Sequence, residues 1–513
     1  MRPPPWWTVP PWGLQRLLLL VLLVTVASCR KVSQHSPPAI AAAAGGEAGA
    51  GGGALRRLLA DAALPPAEAE QVHRPFHFTL TTSFALALSV LVAALSNAAG
   101  VGGGAIFVPL FNVLLSFSIK NATALSQAVI TGGALGAVAY SISRRHPRDA
   151  SRTLVDFDLA LVICPGLLLG VSTGVLLNIA LPTWLMTFLL IVLLFFLAWR
   201  TAATGLRMRR KEREAQQAQQ AAKQGQQQQL DHSSMGVLQT EGSGTLQAPR
   251  PPFPWGKLAQ IAGMWLLFSG LQLGKERFSR CSWPFALLYA CQAAAALSLA
   301  LLFSWRAGRS AGAGRRRELE SKRLILQGNI DSSSPVAAAA AGTVPADVSV
   351  SVQVAAPSPK QGTGAPSWTP RQLAIAFTVA LCGGAVAGTL GIGGGMVLAP
   401  LLLELGVHPQ AASATSGLLV LFSASTAVLA FAAAGRLNLQ YAVVFGSTCF
   451  VSAALGTFLI GRAVRRSGRA SLLVLILAGI IAVGAVVTTA FSGTHAVADL
   501  AAGTHLGGGS FCG

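Results

Sequence analysis

Apolar residues run through this chain in long uncharged blocks, not in the short alternation that marks the elements of a water-soluble core. Twelve such blocks follow residue 77: 78–99, 105–118, 122–142, 157–180, 182–200, 258–274, 282–305, 372–390, 395–406, 411–433, 438–461 and 471–490. A helix needs about 20 apolar residues to cross the hydrocarbon of a bilayer. The pattern predicts an all-α polytopic membrane protein.

Two of the blocks, 105–118 and 395–406, are too short to cross alone, and the same motif opens both. Gly100-Val101-Gly102-Gly103-Gly104-Ala105-Ile106-Phe107-Val108-Pro109-Leu110 returns as Gly391-Ile392-Gly393-Gly394-Gly395-Met396-Val397-Leu398-Ala399-Pro400-Leu401. Each copy follows a full-length block and precedes an Ala-Thr pair, Ala122-Thr123 and Ala414-Thr415. Self-similarity at long range is the mark of an internal repeat. The chain divides accordingly into a first transmembrane repeat (77–200), a connecting pair (258–305) and a second repeat (371–491). Residues 201–257, Gln-rich, and 306–370, rich in Ala, Ser and Pro, read as low-complexity linkers. At the front, 1–28 reads as a signal peptide or N-terminal anchor and 29–76 as a disordered extracytoplasmic tail. Residues 492–513 form a C-terminal tail.

Composition agrees with the membrane reading. Apolar residues make up 52% of the 513 and charged residues 11%, against about 25% charged in a soluble protein. A net charge of +20 suggests nucleic acid only until its placement is read. If every block crosses, the connections 143–156, 200–257, 306–371 and 462–469 share one side and hold 26 of the 38 Lys and Arg. Lys and Arg mark the cytoplasmic side, so both termini lie outside or in a lumen of a plasma membrane or endomembrane. No nucleic-acid partner is expected. Equivalent blocks then enter from opposite sides, which is the inverted repeat of secondary transporters.

A short helix whose far end reaches the surface starts inside the bilayer, so each Gly-rich lead-in is non-helical backbone at depth. Such backbone is tolerated only where protein or a water-filled cavity satisfies it. A helix N-terminus carries free N–H groups and partial positive charge, a ready site for an anion. The candidate anion site comprises Gly102, Gly103, Gly104, Gly393, Gly394 and Gly395, with Asn97, Thr123, Ser126, Gln127, Thr415 and Ser416 as donors completing the shell. The bland alternative is that the glycines only allow close helix packing.

Other signals carry less. Gly170-Val171-Ser172-Thr173-Gly174 fits a serine-hydrolase elbow but lacks the strand and the histidine, and reads as helix packing. Seven cysteines without CxxC spacing indicate neither a metal site nor a disulfide framework; Cys164, Cys382 and Cys449 read as small buried hydrophobes. No cofactor, metal or catalytic residue is expected, and no enzyme. Asp156, Asp158 and Glu404 sit near block ends, where the interface solvates them. Trp184, Trp199, Trp283 and Trp305 read as interfacial anchors. Asn121-Ala122-Thr123 is a glycosylation sequon in a tight turn, expected to stay unmodified.

Several stretches resemble the sulfite exporter TauE/SafE family in its eukaryotic, plant-like branch. They are the two Gly motifs with their Ala-Thr followers, Ser143-Arg144-Arg145-His146-Pro147, Asp156-Phe157-Asp158-Leu159-Ala160-Leu161 and Leu403-Glu404-Leu405-Gly406. The resemblance covers 78–200 and 371–490 well and 253–305 more loosely. It implies transport of small sulfur-containing anions of the sulfite, sulfonate or thiosulfate type, with the solute and the lipid bilayer as partners. A polytopic receptor or trafficking protein is the alternative reading.

Overall fold

The computed structural model describes residues 66–100, 102–142, 144, 153–231, 254–331, 370–405, 407, 409–467 and 470–493. The helices are α1 (Pro66–His73), α2 (Leu80–Ala98), α3 (Gly104–Leu114), α4 (Ile119–Ser141), α5 (Phe157–Ala180), α6 (Thr183–Asp231), α7 (Trp255–Lys275), α8 (Trp283–Asp331), α9 (Pro370–Leu390), α10 (Gly395–Glu404), α11 (Pro409–Ala433), α12 (Leu439–Ser467) and α13 (Ala470–Thr488). A π-helical turn, Thr489–Gly493, follows. Each apolar block of the sequence is one of these helices. Eight are long and apolar enough to cross a membrane, and Gly104–Leu114 and Ala374–Leu390 are apolar but short.

Local chemistry sets where several helices begin. The Thr79 and Ser118 hydroxyls and the Asp156 carboxylate each accept from a backbone N–H three residues on, those of Thr82, Asn121 and Leu159. Each satisfies one of the otherwise orphaned first-turn donors. Large apolar side chains such as Phe84, Phe195, Leu301, Val451 and Val483 face outward. A continuous exposed apolar belt of that kind requires lipid, not water, around it.

The halves α2–α6 and α9–α13 interlock. The first helix of each packs on the fourth helix of the other, so α2 lies on α12 and α9 on α5. The third helices, α4 and α11, pack on one another, as do the fifth, α6 and α13. Glycine permits these contacts: Gly170 and Gly174 of α5 meet the α9 backbone at Leu381 and Ala385, and Gly384 and Gly388 return the contact. This is the close approach of small-xxx-small packing, and it accounts for the hydrolase-like Gly170-x-Ser172-x-Gly174 as a helix interface.

Contacts also order the ends. The Gln71 and Arg74 side chains bond to backbone at Ser116, Ser118 and Leu115. Asn438 bonds to the Gln71 and Arg74 carbonyls, and Lys120 reaches the Ile179 carbonyl. These residues share one end of the molecule. At the other end Asp156 meets Thr415, Lys257 meets Asp158 at 2.6 Å, and Glu212 meets Ser471. The helix α2 runs alongside α12 in the same sense, Ser89 opposite Cys449 and Ala94 opposite Gly456. Likewise α9 runs with α5, Gly166 opposite Phe377 and Asn178 opposite Thr389. Since α12 and α5 start at opposite ends, so do α2 and α9.

Some expectations are revised. Residues 66–76, assigned to a disordered tail, include α1, and Phe76 N–H donates to Gln440. Residues 201–231 and 306–331, assigned to linkers, continue α6 and α8, because their Ala, Gln, Arg and Glu favour helix without needing a core. Glu212 docks that extension by accepting from Ser471 N–H and hydroxyl. Cys382 is exposed, whereas Cys164 and Cys449 are buried. Cys281 is disulfide-bonded, which the scattered cysteine spacing gave no reason to expect. The segment 1–28, the loop residues Arg145, His146 and Pro147, and 494–513 lie outside the described residues.

Candidate functional site

The twin motifs are turns between paired helices. After α2 the chain turns through Gly100 (φ 75°), Gly102 (84°) and Gly103 (76°), and α3 heads back toward the end where α2 began. After α9 it turns through Gly391 (72°) and Gly393 (74°), and α10 returns in the same manner. Left-handed backbone of this kind is open to glycine and strained for L-residues with a side chain. Ile106 and Phe107 donate to the Gly103 carbonyl, and Val397 and Leu398 to Gly394. Those are the first intrahelical bonds of α3 and α10. The N–H groups before them have no carbonyl one turn back, and Gly103 makes no side-chain cap bond.

The two hairpins meet at their tips. A Cβ on Gly104 would collide with the Ile392 carbonyl and stand 2.6 Å from the Ile392 Cα. Gly102 faces Val420 and Ile130, and Gly393 faces Ile130. Each of those side chains lies 11 residues along its helix, α4 or α11. At 1.5 Å per residue that is about 16 Å, half of a hydrocarbon core of about 30 Å.

Hydroxyl groups cross-brace the tips between halves. Ser126 on α4 donates to the Gly391 carbonyl at 2.7 Å, and Ser416 on α11 donates to the Gly100 carbonyl at 3.2 Å. Thr123 packs its Cα where a Gly391 side chain would be, and Ser413 does so for Gly100. The structural register therefore pairs Thr123 with Ser413 and Ser126 with Ser416. This corrects the pairing of Ala122-Thr123 with Ala414-Thr415. Thr415 is set apart from the tips: its hydroxyl oxygen accepts from the Asp156 N–H at 2.9 Å.

The remaining candidates divide by what their polar atoms do. Asn97 donates to Ala93 one turn back and its amide nitrogen lies against Gly133. Gln127 donates to the Ala387 carbonyl at 2.7 Å, while its Oε1 is buried without a partner. The Thr123 hydroxyl is likewise buried and unpartnered. So is that of Ser96, which stands 2.5 Å from the position a Gly103 Cβ would take. Ser96, Ser413, Ile130 and Val420 were missed by sequence reasoning. A search for small or hydroxyl residues facing each turn would have found the first two.

An apolar lining closes the site in this conformation, since Ile130 and Val420 cover the central glycines. A cavity of about 400 Å³ opens instead at the α3–α4 end, lined by Asn112, Ser118, Thr187 and Trp184 among others. At the opposite end burial raises the Asp156 carboxyl above its ordinary pKa of 3.8, against the lowering effect of the Leu159 N–H.

Helices that bury their polar backbone, expose an apolar belt and break at two glycine turns define an all-α polytopic membrane protein. Within that class the chain belongs to the sulfite exporter TauE/SafE family of membrane transporters, whose family model matches residues 8–201, 85–238 and 282–487. It is similar to "Sulfite exporter TauE/SafE family protein 2" of Arabidopsis thaliana, 29% identical over 446 residues that cover 83% of this chain and 87% of the relative. Family protein 3 of the same plant is 29% identical, covering 77% and 75%, and family protein 1 is 28% identical, covering 84% and 88%. No solved structure matches.

Proposed function

We propose that this protein carries small sulfur-containing anions of the sulfite, sulfonate or thiosulfate type, bound between two hairpins that enter the membrane from opposite sides. The observation that carries the reading is the pair of glycine turns meeting tip to tip. Each starts a helix whose N-terminus points at the other, with buried, unpartnered Ser96, Thr123 and Gln127 atoms beside them. A helix N-terminus presents about half a positive charge, and two such ends in a low-dielectric site favour an anion without a resident cation. The relatives are named as sulfite exporter family proteins, which suggests sulfite as the substrate class.

The opposite starts of α2 and α9 support an inverted repeat, and alternating access follows from rocking one half against the other around a fixed site. With Ile130 and Val420 over the glycines, this conformation is the closed one, and one of the halves must part for the solute to reach the free N–H groups. The end holding Asp156, Lys257 and Glu212 is the basic, cytoplasmic end. The Cys281 disulfide favours an oxidising compartment at the other.

Flux of sulfite into proteoliposomes, compared with sulfate, chloride and an organosulfonate, tests the reading. Gly394→Leu is the cleaner probe, because Gly394 has no left-handed φ and meets only side chains, Leu167 first at 3.0 Å. Gly103→Leu adds backbone strain to the same effect. Both should abolish flux while the protein still elutes as a folded species. Unaltered flux in both variants refutes the site. Deleting 216–253 and 332–369 separates transport from a receptor role and spares Glu212: a transporter keeps its flux.

A further inference from the structure

A second polar centre lies away from the glycine tips, between the connecting helices and α5. Lys275, at the end of α7, is fully buried. Its Nζ donates to Ser172 Oγ at 2.7 Å and to Gln292 Oε1 at 2.6 Å, and the Tyr289 ring is 5.0 Å away. Both oxygens are neutral, and among the described residues no carboxylate lies within 4 Å of the ammonium. The charged groups nearby are Glu276, which accepts from Gln272, and Arg280. Lys275, Glu276 and Arg280 leave this corner net positive.

Beside Lys275 and back along α7, three groups that can donate have no acceptor. Gln292 Nε2, Ser269 Oγ and Trp265 Nε1 are all buried and unpartnered. Trp265, Ser269, Gln272 and Glu276 follow one another at helical spacing, so one face of α7 carries a polar stripe down to Lys275. The stripe covers about 15 Å at 1.5 Å per residue. Its inner end reaches the glycine site: the Trp265 ring lies tilted against Phe422 at 6.2 Å, and the adjacent Ser423 Oγ lies 3.9 Å from where a Gly394 Cβ would be. A buried ammonium that bonds only neutral oxygens, beside the idle Gln292 Nε2, favours a negative partner.

We infer that Lys275 and Gln292 form a second binding site for a small oxyanion, with Ser269 further along the same polar stripe, on the path between the Cys281 end and the glycine hairpins. The binding claim stands on its own; the placement on a transport path rests on the function proposed above. A merely structural lysine would satisfy the same hydrogen bonds and bind nothing.

Sulfite binding to the detergent-purified full chain, without added lipid, separates these possibilities, with flux measured in parallel. Lys275→Met is close in shape and removes the charge; it should weaken sulfite binding at least tenfold and raise KM more than it lowers kcat. Lys275→Arg should restore part of the affinity. Gln292→Glu supplies an internal carboxylate to Lys275, so it should abolish the Lys275-dependent part of sulfite binding while raising thermal stability. Gly394→Leu should keep Lys275-dependent binding although flux is lost. Equal sulfite affinity in wild type and Lys275→Met overturns the site, as does absence of sulfite binding by the wild type. Affinity that appears only with anionic phospholipid present overturns it too, in favour of a headgroup. If Lys275→Met keeps its KM while Gly394→Leu loses flux, the site fails and the transport reading stands. If Lys275-dependent binding is seen with no flux by the wild type, the reverse holds.

Discussion

Gly104→Ala puts a single methyl group where the two hairpin tips touch. Gly104 is helical and has no positive φ, so alanine suits its backbone and by propensity alone should stabilise α3 by up to about 1 kcal/mol. The tip contact opposes this. The new Cβ would sit 2.6 Å from the Ile392 Cα and closer still to its carbonyl, and carbon atoms in ordinary contact are about 3.5 Å apart. The turns must part by about 1 Å. Both sides of the contact are backbone, so no side chain can swing away, and overpacking of this kind costs about 1–3 kcal/mol. The net penalty on the closed tips is up to about 2 kcal/mol, and each 1.4 kcal/mol is tenfold in a population. We expect sulfite flux in proteoliposomes to fall by up to about 25-fold while the melting temperature changes by only a few degrees. Gly479→Ala is the matched control, since nothing lies within 4 Å of its Cβ position; it should leave flux unchanged. Wild-type flux in Gly104→Ala, or equal losses in both variants, would refute the reasoning.

Other outcomes follow from the same geometry. Ser126→Ala leaves the buried Gly391 carbonyl without its donor, which costs about 1–3 kcal/mol; a melting temperature and flux equal to wild type would show that this brace is idle. Ile130→Ala removes the side chain covering both Gly102 and Gly393, so sulfite should leak faster down its gradient, and an unchanged leak would exclude Ile130 as part of the seal. Because burial raises the Asp156 carboxyl above 3.8, the folded chain holds that proton more tightly than the unfolded chain. Its contribution to stability is therefore present at low pH and lost as pH rises from 3.8 through the folded value. Asp156→Asn keeps the helix cap and should flatten that part of the melting-temperature profile; parallel profiles would count against it. Glu212→Ala uncaps the start of α13 at Ser471 and should lower stability by about 1 kcal/mol, as read from urea or thermal unfolding.

Much of this was legible in the residues. The twelve helices, the two breaks and their convergence followed from block length and from a motif written twice, because lipid enforces helix wherever a long run is apolar. Reading went astray where identity was used in place of shape. Ala122-Thr123 and Ala414-Thr415 look like partners, yet what a left-handed turn selects on the facing helix is a small side chain at the point of closest approach. That requirement is met by Thr123 and Ser413, two positions off the sequence match. Lys275 follows directly on the apolar block 258–274, and nothing local to it shows that Ser172, 103 positions earlier, closes over it.

The sequence by itself determined that this is a membrane protein of broken helical repeats, since hydropathy and glycine act over a few residues and leave a local trace. Only the tertiary structure decided that the halves interlock first helix on fourth, that the tips touch backbone to backbone, and which polar groups are left idle. Those outcomes depend on Å-scale contacts between residues hundreds of positions apart. Pairing of that kind is a property of packed surfaces, and no window along the chain contains it.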